Sequence, residues 1–415
     1  MDDKKRKELL QRKTGPDLKV VTEQDESAAT VRKTSRKGLV VFLVFILLAV
    51  IGVGVYITMN SRTYDEYETI ATYEIDDVTS MDYLAYGDNY IKYSKDGISY
   101  VDKNNHTVWM ESYAMKMPTA VVAGDYIAIA DLNGNEVYLF GKEGKLNQTT
   151  TTSTIIDVDV ALQGVFAVVL DGAEGNLILT YDKNGEKIAE ISTTIESSGY
   201  PLDISLSEDG RKLFTSFAYF EGTTLKNQLG TYNFGEVGKN ENADRFMGGF
   251  DLTETLVAKV EFVGNDTICA FGDNQLIFYS MKEKPSEITK VSYKEEIQSI
   301  FYNDAYVGTV CRQTNSNKSA AYELKAYNTS GKEVVSIPFE IPYKHIHATE
   351  DRIIIVGDSN CGIYDYNGSL IFSYSFANNL VNLIPTVDNR EYIAVFENQS
   401  EYIRLIVKPE EAKEE

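Results

Sequence analysis

Residues 63 to 407 carry their apolar positions in short runs rich in Val, Ile, Tyr and Phe, broken by Gly, Asn and Asp, with almost no spacing that would line one face of a helix. β-Branched and aromatic runs bounded by turn formers read as strands, so this long stretch is predicted to be all-β. A different pattern precedes it. Residues 39 to 59 are uncharged and apolar throughout, and at about 1.5 Å per residue they make a helix of roughly 31 Å, the thickness of a hydrocarbon core of about 30 Å. The pattern therefore divides the chain into a stub (1–37), a transmembrane helix (38–60), a large β domain (61–408) and an acidic tail (409–415).

Within the β domain a hairpin cassette recurs: a strand ending in an aromatic or aliphatic residue, a polar turn with Asn or Gly, and a second β-run. It occurs at 99–109, 137–146, 179–188, 325–334 and 363–371, with turn positions Asn105, Gly144, Gly185, Gly331 and Gly368. The steps between them are 39, 41, 146 and 37 residues, and the long step accommodates further cassettes with insertions, degenerate copies lying near Gly235 and Lys284. A period of about 40 residues with four β-runs per unit is the signature of a β-propeller blade. Blades are expected at 76–115, 116–153, 154–196, 197–245, 254–293, 294–341 and 342–377. The remainder supplies only three strands, so its fourth is expected from residues 68 to 75, which would close the ring and remove its open edges. The fold class is thus an all-β propeller of eight blades, seven being the alternative, behind one membrane helix.

These cassettes resemble the D-x-x-T-G-x-x-x-W hairpins of quinoprotein-type propellers, the run from Asp102 to Trp109 being the nearest copy. Leu206-Ser-Glu-Asp-Gly-Arg-Lys-Leu-Phe214 resembles the S-P-D-G-x-x-L turn of TolB-type propellers. The layout as a whole is similar to an uncharacterised family of single-span bacterial proteins, typical of Clostridia, with an outward propeller-like domain. The chain departs from the quinoprotein pattern in having one Trp and in most cassettes lacking it. The resemblance implies a fold, and one fold hosts many functions.

Charge sets the expected orientation. Residues 1–37 hold 11 Lys or Arg against 7 acidic residues, with Lys33, Arg36 and Lys37 flanking the apolar run, whereas only Arg62 follows it closely. Basic residues beside a span stay in the cytoplasm, so the stub is expected inside and the β domain outside a plasma membrane, as a single-pass signal anchor. The 378 residues after the stub hold 29 basic and 55 acidic residues, a net of −26. Such a surface repels phosphate backbones, and nucleic acid is not an expected partner. Three cysteines, Cys269, Cys311 and Cys361, allow at most one bridge, so an apolar core must hold the fold.

Candidate chemistry is sparse. His345-x-His347 would place two imidazoles on one face of a strand, a start toward a metal site whose third ligand would have to be Asp351 or Cys361. The reading preferred here is polar residues on an inner strand. The segment from Asp131 to Glu136 opens like a calcium loop but lacks Gly at position 6 and a carboxylate at 12, and so reads as a hairpin turn. No nucleophile elbow, phosphate loop or dinucleotide fingerprint occurs. The 28 tyrosines, among them Tyr86, Tyr200, Tyr219 and Tyr366 beside turns, suit packing between blades or contacts at a rim. The expected function is a non-catalytic interaction module of the cell envelope, without a cofactor, meeting a protein or a cell-wall glycan. A cofactor-binding or polysaccharide-active enzyme is one alternative, and a sensor signalling through the stub is another.

Overall fold

The computed structural model describes residues 41–42, 44–47, 63–75, 81–172, 175–196, 198–282, 284–313 and 320–407. The chain divides into two compact units, Met1–Asn60 and Ser61–Glu415. In the first, residues 41, 42 and 44–47 are helical and exposed. The remainder of the expected span, the stub with Lys33, Arg36 and Lys37, and the acidic tail lie outside the described residues. Among the described residues no helix is long and apolar enough to cross a membrane.

The second unit is a ring of eight four-stranded antiparallel sheets. Seven are simple meanders, at residues 82–112, 118–150, 154–193, 200–252, 257–292, 297–339 and 343–375. The eighth combines Leu380–Pro385, Glu391–Phe396 and Gln399–Ile406 with Glu66–Glu74 as its outermost strand. That strand runs antiparallel to the last one, from Glu66 opposite Ile406 to Glu74 opposite Gln399. The expected closure is therefore observed, and with it the count of eight. First strands of neighbouring blades meet around the axis, while the fourth strands alternate exposed and half-buried positions on the outside.

The fourth blade departs from expectation. Its outer strand, Phe246–Leu252, lies beyond the boundary at 245. Gly249 is needed within the strand because a Cβ there would stand 2.2 Å from the Leu229 carbonyl oxygen. The expected degenerate cassette near Gly235 is instead a short helix, Glu236–Glu241, inserted before this strand. The two middle strands, Lys212–Glu221 and Thr224–Asn233, are ten residues long and project past the other blades' strands of about six.

Turn chemistry explains the period. All five marker positions, Asn105, Gly144, Gly185, Gly331 and Gly368, have positive φ, a conformation that favours Gly and tolerates Asn. In four cassettes an Asx residue opens the turn, and its Oδ1 accepts amides two and four residues on: Asp102 from Asn104 and His106, Asp182 from Asn184 and Glu186, Asn328 from Ser330 and Lys332, Asp365 from Asn367 and Ser369. The side chain thereby satisfies backbone donors that the turn leaves free. The one tryptophan does the docking that its cassette resemblance implies. Trp109 stacks on Phe140 of the next blade at 5.0 Å and donates to the Lys142 carbonyl at 3.0 Å. Cys269, Cys311 and Cys361 are all buried and unbridged.

Closure ties the N-terminal strand to two blades. Tyr67 packs edge-on against Tyr374 at 4.9 Å and near Phe376, and the Tyr64 amide donates to the Ile371 carbonyl at 2.8 Å. Removing residues 63–75 would discard eight residue pairings and expose the edge of Gln399–Ile406, a loss on the order of 5 kcal/mol at about 1 kcal/mol per ladder bond. A soluble chain starting at Asp76 should therefore melt on the order of 10 °C below one starting at Thr63 and aggregate on heating. Calorimetry on the two proteins checks this, and equal melting would show that the strand contributes nothing to closure.

Candidate functional site in the central channel

The inner strands of six blades share one irregularity. In blades three to eight the pairing of the first strand slips by one residue after Ile155, Pro201, Val257, Ile297, Tyr343 and Leu380. A β-bulge of this kind bends a strand and re-aims its side chains. The first residue paired after each slip is Asp157, Asp203, Lys259, Ser299, His345 and Asn382, all polar in strands otherwise dominated by Val, Ile and Leu. Two residues further along stand Asp159, Ser205, Glu261 and His347.

These side chains reach across the seams between blades. Asp157 and Asp159 accept the amides of Ile204 and Leu206 in the next inner strand at 3.0 and 2.6 Å. Asp203 and the Ser205 hydroxyl accept those of Val260 and Phe262 at 2.7 and 2.9 Å. Ser299 shares a hydrogen bond with the Tyr343 hydroxyl at 2.7 Å, and His347 Nε2 meets Asn382 Oδ1 at 2.7 Å. The inner strands have no backbone ladder partner on this side, and in blades four and five the amides of Ile204, Leu206, Val260 and Phe262 are satisfied by side chains of the preceding blade.

His345-x-His347 is thus the seventh blade's copy of this stitch. The two rings lie 6.3 Å apart. Burial lowers both imidazole pKa values, with Lys344 adding to the effect at His345 and the Asn382 bond opposing it at His347. Neither proposed third ligand joins them: Cys361 sits in the apolar core and Asp351 bonds Asn389 and Arg352. Among the described residues no group of three or more His, Cys, Asp or Glu converges to hold a metal. Asp131 is structural, accepting the amides of Lys116 and Met117. Tyr86 and Tyr366 bond backbone carbonyls of Asp125 and Thr349, whereas Tyr200 is exposed.

The part of the channel that sequence reasoning missed is charged. Lys259 forms ion pairs with Asp203 at 3.2 Å and with Glu261 at 3.4 Å. Its side chain is 32 % exposed, facing a cavity of about 550 Å³ at the channel mouth that Asp159, Glu208, Glu261 and Tyr302 also line. One ammonium thus faces four carboxylates, those of Asp157, Asp159, Asp203 and Glu261. Burial raises the carboxyl pKa values, Asp157 to about 6 and Glu261 to about 7, with Lys259 pulling the other way; Asp159 and Asp203 are raised from the same cause. Burial would lower the Lys259 ammonium, but Glu261 and Asp203 outweigh it and keep the lysine charged. The sequence signal was available: three first strands carry polar residues at alternate positions, in D-V-D, D-I-S and K-V-E.

A second cavity of about 630 Å³ opens on the same side of the ring. It lies among the turns between first and second strands of blades six, seven and eight, with Asp304, Tyr306, Asp351, Arg352 and Tyr392 in its wall. Turns between third and fourth strands share this side, so the chain also enters the ring here, at Glu66.

The class of protein that the described residues define is a closed eight-bladed β-propeller with a charged channel. Over residues 60–405 the chain matches DUF5711, a family of unknown function, and it belongs to that family. No curated protein matches it significantly. Among solved structures 978 chains match, too many for likeness to single out an activity. Sqt1 of Chaetomium thermophilum, bound to the N-terminus of ribosomal protein L10, has a TM-score of 0.54 at 10 % identity, covering 82 % of this chain and 100 % of that one. BamB of Moraxella catarrhalis gives 0.49 at 12 % identity with the same coverage. The Pan2 WD40 domain of Neurospora crassa gives 0.42 at 11 %, covering 71 % of this chain and 90 % of its own. At these identities the likeness is one of fold.

The raised carboxyls have a signed consequence. A carboxyl that keeps its proton in the folded state above the unfolded pKa of about 4 makes the folded protein bind more protons, so its contribution to stability falls as pH rises from about 4 to 7. The buried imidazoles act in the opposite sense, stability being lost as pH falls below about 6.5. Comparing variants isolates the channel: Glu261→Gln should gain stability relative to the native protein on going from pH 5 to pH 8, as read by urea unfolding at each pH. Parallel curves would contradict the assignment. Lys259→Met, which leaves four carboxylates without a counter-charge, should cost about 2 kcal/mol at pH 8, less than a dry pair because the lumen admits water.

Proposed function

We propose that this DUF5711 protein is a membrane-anchored scaffold of the cell envelope that uses its ring to hold a protein partner. Basic residues 4–37, the apolar run 39–59 and the acidic β domain support a single-pass arrangement with the stub inside and the ring outside. The observation that carries the binding role is the pairing of two adjoining cavities, about 550 and 630 Å³, on one side of a ring closed by its own N-terminal strand. Pockets of this size framed by turns on a rigid scaffold are where proteins take ligands. The Sqt1 propeller, which holds another protein's N-terminus, supports a ring of this fold accepting a polypeptide segment.

The test uses photo-crosslinking amino acids in cells producing the full chain. Placed at Ala305 or Val387, beside the second cavity, the crosslinker should capture one recurrent protein that is not captured from Ile288 on an outer strand. Capture from all three positions alike, or from none, would remove the scaffold reading. In intact cells the ring should be open to added protease while a tag before Met1 is protected. Protection of the ring would overturn the proposed topology.

A further inference from the structure

Blade four carries a ribbon that the ring does not use. Its second and third strands, Lys212–Glu221 and Thr224–Asn233, pair with each other out to Glu221 opposite Thr224. The first strand of the blade stops pairing at Tyr200 opposite Ala218, and the fourth at Leu252 opposite Asn227. Tyr219 with Lys226, Phe220 with Leu225 and Glu221 with Thr224 therefore stand clear of the sheet with neither ribbon edge in a ladder, a projection of about 10 Å. A two-residue turn, with Gly222 at φ 64, closes it. Turns between second and third strands lie on the opposite side of the ring from the two cavities and from the entry of the chain at Glu66.

The ribbon combines apolar and acidic surface. Phe220 and Leu225, directly opposite each other, are 69 % and 46 % exposed, and Tyr200, two residues back on the same face, is 38 % exposed. An open edge with such side chains invites a further strand. Beside it lies a hollow of about 210 Å³ lined by Leu225 and Lys226 of the ribbon and by Glu254 and Asp273 of neighbouring turns. Asp273 is fixed there by the Thr255 hydroxyl and the Leu256 amide, both donating to its Oδ1. The segments that meet around the ribbon, 194–200, 218–228, 250–256 and 271–275, hold five exposed carboxylates, Glu196, Glu221, Asp251, Glu254 and Asp273, against Lys226 alone, which already pairs with Glu221 at 3.8 Å.

We propose that this ribbon docks an extended basic segment of a partner protein, which adds as a strand along residues 224–226, seats apolar side chains against Phe220 and Leu225, and directs Lys or Arg toward Glu254 and Asp273. Main-chain bonds along the open edge supply affinity, and the side-chain row supplies selection. Charge decides between occupants. A second copy would bring the same five carboxylates against these, and an anionic bilayer would be repelled, whereas a strand bearing Lys or Arg is attracted. This surface is separate from the cavities of the scaffold reading, and neither depends on the other.

The full-length protein in detergent is titrated calorimetrically with acetyl-Lys-Val-Lys-Val-Lys-Val-amide, with its Glu counterpart, and with two forms of the basic peptide N-methylated on the lysines or on the valines. The basic peptide should bind at least about tenfold more tightly than the acidic one. One methylated form should lose at least about tenfold, since methylation along one edge removes ladder bonds and keeps charge and side chains. That comparison needs no variant of the protein. Phe220→Ser combined with Leu225→Ser should lose a similar factor while melting within about 2 °C of the native protein, both side chains being exposed. Absence of binding up to about 10 mM, equal binding by the parent and both methylated peptides, or undiminished binding by the double variant would overturn the proposal. A native dimer that the double variant dissociates would also overturn it, in favour of a second copy.

Discussion

The ring depends on how each inner strand satisfies the backbone groups that face its neighbour. Within a blade, antiparallel ladders meet the need, but no ladder crosses from one blade to the next. Between blades three, four and five the gap is closed by Asp157, Asp159, Asp203 and Ser205, each accepting an amide from the following inner strand. Apolar packing such as Trp109 on Phe140 draws sheets together without direction. These side-chain bonds add register, since each works only when the next strand stands at one height.

That solution imposes a charge problem. Carboxylates are good acceptors because they are charged, yet three of them crowd one side of a narrow channel along with Glu261. Lys259 relieves part of the repulsion by pairing with Asp203 and Glu261, and proton uptake relieves more, as the raised Asp157 and Glu261 pKa values indicate. Where the seam is bridged by neutral groups, as with Ser299 and Tyr343 or His347 and Asn382, no such compensation is needed. The carboxylates of the seam bonds are therefore concentrated on the side of blades three to five, an asymmetry that follows from which acceptor each seam uses.

Much of this was legible in the sequence because the turns are chemically marked. Asn105 and Gly144, Gly185, Gly331 and Gly368 need positive φ, and Asp102, Asp182, Asn328 and Asp365 cap the same turns, so the 40-residue period and the blades follow from local chemistry. Closure by residues 66–74 was legible by counting strands. The outer strand Phe246–Leu252 was not, because two adjacent glycines are a turn signal, whereas here Gly249 serves a close approach to the Leu229 carbonyl within a strand. The channel was missed for a different reason: D-V-D, D-I-S and K-V-E follow one another at spacings of 46 and 56 residues, and only the ring brings them together.

The account stands most directly on the seam bonds being real constraints rather than incidental contacts, and amide hydrogen exchange reads them one at a time. The amides of Ile204, Leu206, Val260 and Phe262 should exchange as slowly as ladder amides in the same blades, and Asp159→Ala should speed exchange at Leu206 while leaving Val260 and Phe262 protected. Rapid exchange of these four amides in the native protein, against a protected ladder, would show that the blades are held by apolar packing alone and would contradict the account.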